Sequence, residues 1–393
     1  MQFTFYYLIT LLITFLISLS LTPIVKLIAI KIGAVDMPNE RRINKVPMPS
    51  AGGLAIFISF TISCILILPK IVGIVIPDVT FLKYILPYIL ASALVVITGL
   101  VDDIKEISPR QKTAGIIVAG LIIWFFTKAR FDSMTFPMIG LVNFEWWLSL
   151  PLTIIWILSL TNAVNLMDGL DGLVSGVSVI SLTIIGIIGY FFLGEINVYV
   201  SIAIFTLIAA ILGFLPYNFN PAKIYLGDTG ALFLGFMISV ISLQGLKNAT
   251  FVAVLTPMLI FGVPITDTVF AIIRRKLNNQ SITSPDRMHL HHRLISLGFS
   301  HRGAVLMIYA ITLIFSFIAL LINVSSKLGA SMLLVASLIG VELFAEMVGI
   351  FGEKRTPMLK LMKLFGNPKY RHFMLIQHRV RRDKKKAEKN KDK

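Results

Sequence analysis

Apolar residues fill long blocks of this chain, at about 5–22, 52–68, 84–101, 113–127, 148–163, 173–193, 199–215, 230–245, 251–273, 304–323 and 329–350, with short polar stretches between them. At roughly 1.5 Å of rise per helical residue, a bilayer core of about 30 Å takes about 20 residues per crossing. The pattern therefore predicts an all-α polytopic membrane protein of about eleven transmembrane helices. Composition agrees. Of 393 residues 56% are hydrophobic and only 14% charged, with a mean hydropathy of +0.85, against about 45–50% and about 25% for soluble domains. The first 25 residues hold no Lys or Arg, so the first block is read as a retained helix and not a signal peptide.

Positive residues stay on the cytoplasmic side of a membrane, and here they are strongly one-sided. The loops after odd-numbered spans (31–51, 102–112, 164–172, 216–229 and 274–303) and the segment 351–393 together hold 29 of the 36 Lys and Arg. The opposite side holds six, and without residues 351–393 the count is still 14 to six. The N-terminus is expected outside and the C-terminus in the cytoplasm. Residues 1–350 then form one multi-span domain and 351–393 a basic cytoplasmic tail whose charge suits anionic membrane lipids. Its basic stretch lacks the interleaved aromatics of a single-strand binder, so no nucleic acid is expected as a partner. The one cysteine, Cys64, offers neither a disulfide nor a thiolate zinc site.

The acids decide where chemistry is expected. Asp102 and Asp103 (GLVDDIKE), Asp168 and Asp171 (NAVNLMDGLDGL), Asp228 (YLGDTGALFLGF) and Asp267 (PITDTVFAIIRR) all fall on the predicted cytoplasmic side. Charges beside hydrocarbon are costly and tend to be functional. Several carboxylates at one depth repel unless a cation joins them, and oxygen ligands favour magnesium or manganese over zinc. Three residues apart, Asp168 and Asp171 would share a face of a helical turn, with Asn162 and Asn165 adding amide oxygens. In the loop 274–303, Arg274, Arg275, Arg287, Arg293 and Arg302 accompany His289, His291 and His292, a donor set suited to phosphate oxygens. His301, His372 and His378 are read as solvated bystanders. Glu342 and Glu346, one helical turn apart in the last span, are read as a pair satisfied by neighbouring helices or by a second copy of the chain in a homodimer. An ion-coupled transporter is the rival class, but its sites usually lie near the midplane between related halves. Here the acids sit at one face and no repeat is evident.

At PMPSAGG, GLVDD, NAVNLMDGLDG, GDTGALFLG, PITDTVFAIIRR and HLHH, in that order over roughly residues 31–303, the chain resembles the polyprenyl-phosphate N-acetylhexosamine-1-phosphate transferases. MraY, WecA, TagO and the eukaryotic dolichyl-phosphate GlcNAc-1-phosphate transferase belong to this family. The resemblance implies a multi-pass enzyme of the bacterial cytoplasmic membrane. Such an enzyme moves a sugar-1-phosphate from a UDP-sugar to undecaprenyl phosphate, with magnesium and release of UMP, as the first membrane step of an envelope polysaccharide. It makes Asp228 and Asn165 magnesium ligands, Asp171 the partner of the uracil ring, and Lys112 the contact to the pyrophosphate. It also implies that Asp102 acts on the acceptor phosphate, with Lys45 in the same site and Asp103 and Asp168 supporting it. His289, His291 and His292 would lie near the phosphates and sugar, with Arg287 in the sugar pocket and Asp267 on the substrate side. His-Leu-His-His in place of three consecutive histidines resembles WecA and TagO, which implies UDP-GlcNAc as donor. UDP-GalNAc and UDP-MurNAc-pentapeptide are the alternatives.

Overall fold

The computed structural model describes residues 2–37, 46–70, 81–136, 140–192, 198–244, 290–348 and 358–360, together with Gly262, Arg275 and His372. Among them the chain is helical apart from two short ribbons. Helix α1 (Gln2–Ile32) leads through β1 (Val35–Asp36) and β2 (Met48–Pro49) to α2 (Gly53–Ile62), whose last turn widens into a π-helix at Ser63–Ile67. Then come α3 (Phe81–Lys105), α4 (Pro109–Phe126), the hairpin β3 (Ser133–Phe136) with β4 (Gly140–Asn143), α5 (Trp146–Met167), α6 (Leu173–Phe192) and α7 (Val198–Asn218). Helices α8 (Gly227–Gln244), α9 (Leu290–Ser296), α10 (His301–Val324) and α11 (Lys327–Val348) complete the described set. Both ribbons are antiparallel, pairing Val35 with Pro49 and Ser133 with Asn143.

Among the described residues nine helices are long and apolar enough to cross a membrane, with α2 counted as it runs on through the π-helix to Lys70 and α4 not counted. Eleven were expected. The expected span 113–127 falls on α4, which is not one of the nine: the helix starts earlier and takes in polar residues, because Ser108 caps it through a reciprocal bond with Gln111 and Pro109 fits the first helical position. Its first turn therefore carries Arg110 and Lys112. Apart from Gly262, the expected span 251–273 lies outside the described residues.

The bundle is built around α8. Every residue from Gly227 to Leu243 except Asp228 is buried, with α3 and α5 packed along it and α2 crossing it. Where no water can compensate, helices associate through small residues and through hydroxyls that find internal acceptors. On α1, Thr10, Thr14, Ser18 and Thr22 recur every fourth residue and are fully buried. Ser18 Oγ donates to the Ala210 carbonyl of α7 at 2.6 Å, and Thr14 Oγ1 donates to Ser63 Oγ at 2.6 Å. At the α2–α8 crossing the backbones nearly touch. A Cβ on Gly53 would lie 2.1 Å from Gly230 Cα, so neither position admits a side chain without separating the helices.

The alternation of long helices brings the ends of α3, α5 and α7 and the starts of α2, α4, α8 and α10 to one end of the bundle. Asp102 and Asp103, Asn165 and Asp168, Lys112 and Asp228 all lie at that end, as do Ser50 and His301. At the other end the start of α3 meets the end of α8, where Tyr84 donates to Gln244 Oε1 at 2.5 Å and Gln244 Nε2 donates to Tyr88.

Gly53→Ala should loosen the α2–α8 crossing at a cost of about 1–3 kcal/mol, the usual range for overpacking. Gly340→Ala on α11, where a Cβ meets nothing within 4 Å, should be neutral. Thermal unfolding of the two variants in detergent checks this, and equal melting temperatures would contradict the close crossing.

Candidate active site

The site begins with an electrostatic problem. Helix α8 starts deep in the bundle, and its first N–H groups have no intrahelical partner. Asp103, near the C-terminal end of α3, solves it. The Asp228 N–H donates to Asp103 Oδ1 at 2.9 Å, and the Thr229 N–H and hydroxyl donate to Oδ2 at 3.0 and 2.5 Å. Ser50 Oγ adds a fourth donor at 3.3 Å. Gly227 makes the approach feasible, since its φ of +72° suits glycine and a Cβ there would lie 2.6 Å from Asp103 Oδ2.

With α8 anchored, Asp228 in its first turn projects into the space beneath α3, α4 and α5. Its Oδ2 is 2.5 Å from Lys112 Nζ, and its Oδ1 accepts from Asn165 Nδ2 at 2.6 Å. Lys112 also reaches Asp102 Oδ2 at 2.5 Å. Asp102 Oδ1 is held by the Ile107 N–H at 2.8 Å, across a turn in which Glu106 takes a φ of +49°. One ammonium thus bridges two carboxylates from two helices. The Asp228 side chain keeps 29% of its surface exposed, against 10% for Asp102, so of the two it is the more open to a ligand.

The segment after α5 departs from expectation. Asp168 and Asp171 were expected to share a helical face, but the helix stops at Asp168, with a ψ of 61°. Gly169 N–H turns back to the Met167 carbonyl, and Gly172, with a φ of +79°, completes the break. The two acids therefore separate. Asp168 stays with the cluster, where burial and then the facing carboxylates of Asp228, Asp103 and Asp171 push its carboxyl well above the usual range. Asp171 turns to a second loop. Its Oδ2 accepts from Asn220 Nδ2 at 2.8 Å and from the Ala222 N–H at 3.1 Å. Asn162 Nδ2 donates to the Leu158 carbonyl one turn back at 2.8 Å, a bond that leaves its amide oxygen as an acceptor.

His301 corrects the sequence reading outright. Expected as a solvated bystander, it is only 21% exposed, and its Nε2 accepts the Asp171 N–H at 2.9 Å. It opens α10, which Ser300 caps, and that helix start delivers it to the loop of Asp171. Ser50, Thr229, Asn220 and Ala222 were not singled out either. Ser50 and Thr229 stand inside the quoted PMPSAGG and GDTGALFLG motifs, so the motifs held that signal. Of the other expected residues, Lys45, Asp267, Arg287 and His289 and the side chain of His291 lie outside the described residues, as does His378. His292 lies in α9, where the neighbouring Arg293 donates to the Val348 carbonyl. His372 is exposed. Glu346 is satisfied within the chain, accepting the Met358 and Leu359 N–H groups at 2.7 and 2.6 Å.

The donor set fits a hard cation of a particular kind. Among the described residues no three His, Cys, Asp or Glu side chains converge closely enough to hold a metal by themselves. Magnesium, however, takes one or two protein oxygens and completes its shell with water and substrate phosphate. Asp228 and the amide oxygen of Asn165 suit that role, and the surplus of acids around Asp168 favours added positive charge.

Comparison with known proteins gives a consistent picture. Residues 85–246 match the glycosyl transferase family 4. The chain is 40% identical over 354 residues, 89% of this chain and 94% of the relative, to a probable undecaprenyl-phosphate N-acetylglucosaminyl 1-phosphate transferase of Bacillus subtilis. It is 34% identical over 304 residues, 72% of this chain and 74% of the relative, to the decaprenyl-phosphate N-acetylglucosaminephosphotransferase of Mycolicibacterium smegmatis. To the undecaprenyl-phosphate alpha-N-acetylglucosaminyl 1-phosphate transferase of Escherichia coli it is 28% identical over 293 residues, again 72% of this chain and 74% of the relative.

Asp103→Ala should leave the start of α8 without acceptors. Each unsatisfied buried group costs about 1–3 kcal/mol, so a drop in melting temperature larger than that of Asp102→Ala is expected in detergent. Equal stability of the two variants would remove the anchoring role.

Proposed function

The chain belongs to the polyprenyl-phosphate N-acetylhexosamine-1-phosphate transferases, and on that premise we propose that it transfers GlcNAc-1-phosphate from UDP-GlcNAc to undecaprenyl phosphate. A phosphate oxygen of the lipid attacks the sugar-bearing β-phosphorus of the donor. The bond from that phosphorus to the bridging oxygen breaks, and UMP leaves with the electron pair. The observation that carries this reading is the Lys112 ammonium between Asp102 and Asp228 at one end of a membrane bundle. Such an end can meet a lipid phosphate at the surface and a nucleotide from the aqueous side.

Each residue has a role that its contacts support. Lys112 supplies positive charge toward the pyrophosphate as charge builds on the leaving UMP. Asp102, held by the Ile107 N–H, orients that lysine and faces the acceptor. A phosphomonoester has a second pKa of about 6, so at pH 7 the acceptor is mostly ionised and orientation outweighs proton removal. Asp171 receives the uracil ring. Asp228 and Asn165 would hold magnesium, which when bound offsets pyrophosphate charge. With reactants so held, in-line displacement needs little beyond positioning. The Lys and Arg asymmetry supports an inner-membrane orientation with the N-terminus outside and this site facing the cytoplasm. The donor's sugar follows from the His-Leu-His-His pattern and from the relatives named for N-acetylglucosamine transfer. The product would start a teichoic acid, O-antigen or similar polymer.

Transfer should stop in chelator and return with magnesium, and Asp228→Ala should lose about a hundredfold or more in rate while still folding. Release of UMP by purified protein measures both, and full activity in chelator would reject the metal assignment. Offered separately with undecaprenyl phosphate, UDP-GlcNAc should be used in preference to UDP-GalNAc and UDP-MurNAc-pentapeptide. A buried polar group left unpaired by the wrong epimer makes such discrimination steep. Efficient turnover of the pentapeptide donor would overturn the donor assignment and leave the reaction class standing.

A further inference from the structure

The start of α10 grips the loop that carries Asp171. His301 Nε2 accepts the Asp171 N–H at 2.9 Å. Tyr309, eight residues on, donates to the Gly172 carbonyl at 2.5 Å, and Arg302 Nε donates to the Asn220 carbonyl at 3.0 Å. Asn220 and Ala222 in turn hold Asp171 Oδ2. Two loops from distant parts of the chain are thereby tied to one helix end around a single carboxylate.

The consequence lies in which oxygen is left. Asp171 Oδ2 already takes two hydrogen bonds. Oδ1 takes none among the described residues, and His301 Nε2 stands 3.9 Å from it. An Nε2 that accepts a backbone N–H carries no proton of its own, so the imidazole is neutral with its hydrogen on Nδ1. In that state the ring cannot compete for Oδ1. His301 therefore both fixes the direction of the Asp171 backbone and keeps one carboxylate oxygen available as an acceptor.

We propose that His301 is a positioning residue for the donor nucleotide, holding Asp171 so that Oδ1 meets the imide N–H of uracil and rejects a base lacking that donor. This rests on the reading of Asp171 as the uracil partner. Cytosine offers a bare lone pair at the corresponding ring nitrogen, which a carboxylate oxygen repels. Base choice is thus set by a backbone contact from a different helix.

The test uses the full-length protein in detergent, with UMP and CMP as binding probes and UDP-GlcNAc turnover as the kinetic readout. His301→Ala should weaken UMP about five- to tenfold, the size of one lost hydrogen bond, and should raise KM for UDP-GlcNAc in parallel with little change in kcat. The preference for UMP over CMP should narrow by a similar factor. His301→Gln, which can return an acceptor near the Nε2 position, should restore most of the loss. Wild-type UMP affinity in His301→Ala overturns the proposal, as does a fall in kcat at constant KM, or a His301→Gln variant no better than alanine. If wild-type protein binds UMP but does not turn over UDP-GlcNAc, the transferase reading falls, while the UMP and CMP affinities of the variants still decide the role of His301.

Discussion

A helix that begins inside a membrane bundle must have its first N–H groups satisfied, and everything at the active end of this molecule depends on how that is done. Helix α8 is buried along nearly its whole length, so its first N–H groups need acceptors supplied by the protein. Asp103 from α3 accepts the Asp228 and Thr229 N–H groups and the Thr229 hydroxyl. The positive end of the helix dipole favours that carboxylate in turn. This one contact sets the height of α8 against α3. It thereby sets where Asp228 stands relative to Asp102, and so where a single lysine from α4 can bridge both.

Adjacent acids in the sequence thus do different work. Asp103 is consumed by the backbone of another helix, while Asp102 is paired with Lys112. The same division occurs after α5. Asp168 remains near the cluster, where burial and then neighbouring carboxylates raise its affinity for a proton, and Asp171 is drawn away by Asn220 and Ala222. The result is two zones: a charge-dense one suited to pyrophosphate and a cation, and a hydrogen-bonding one suited to a base. A nucleotide sugar has the same division along its length, with the base at one end and the reacting phosphorus toward the other.

The scaffold keeps these zones in register by close contact and not by bulk. Gly53 against Gly230 lets α2 cross α8 backbone to backbone, and the Gly52 and Gly53 N–H groups donate to the Tyr225 and Leu226 carbonyls at 3.0 Å each. Those bonds tie the PMPSAGG segment to the loop just before α8. Ser50, in that segment, then reaches Asp103. Buried hydroxyls on α1 add direction to a helix interface that apolar surface alone would leave free to slide in lipid.

Much of this was legible from residue order. Block length and composition determine a helical membrane protein, because a bilayer core admits little else with so few charges. Five of the six acids that fall on one predicted side, Asp102, Asp103, Asp168, Asp171 and Asp228, meet at one end of the bundle, and the ordered motifs identify the family. The identity of the contacts was beyond that reading. Periodicity placed Asp168 and Asp171 on one helical face, but a turn at Gly169 and the positive φ of Gly172 ended the helix between them. His301 looked like a solvated histidine because its partner, the Asp171 N–H, is 130 residues away in sequence. Hydrophobic period reports which face of an element meets lipid or core. Which oxygen of which carboxylate stays free depends on backbone donors brought from other helices, and only the packing of those helices decides that.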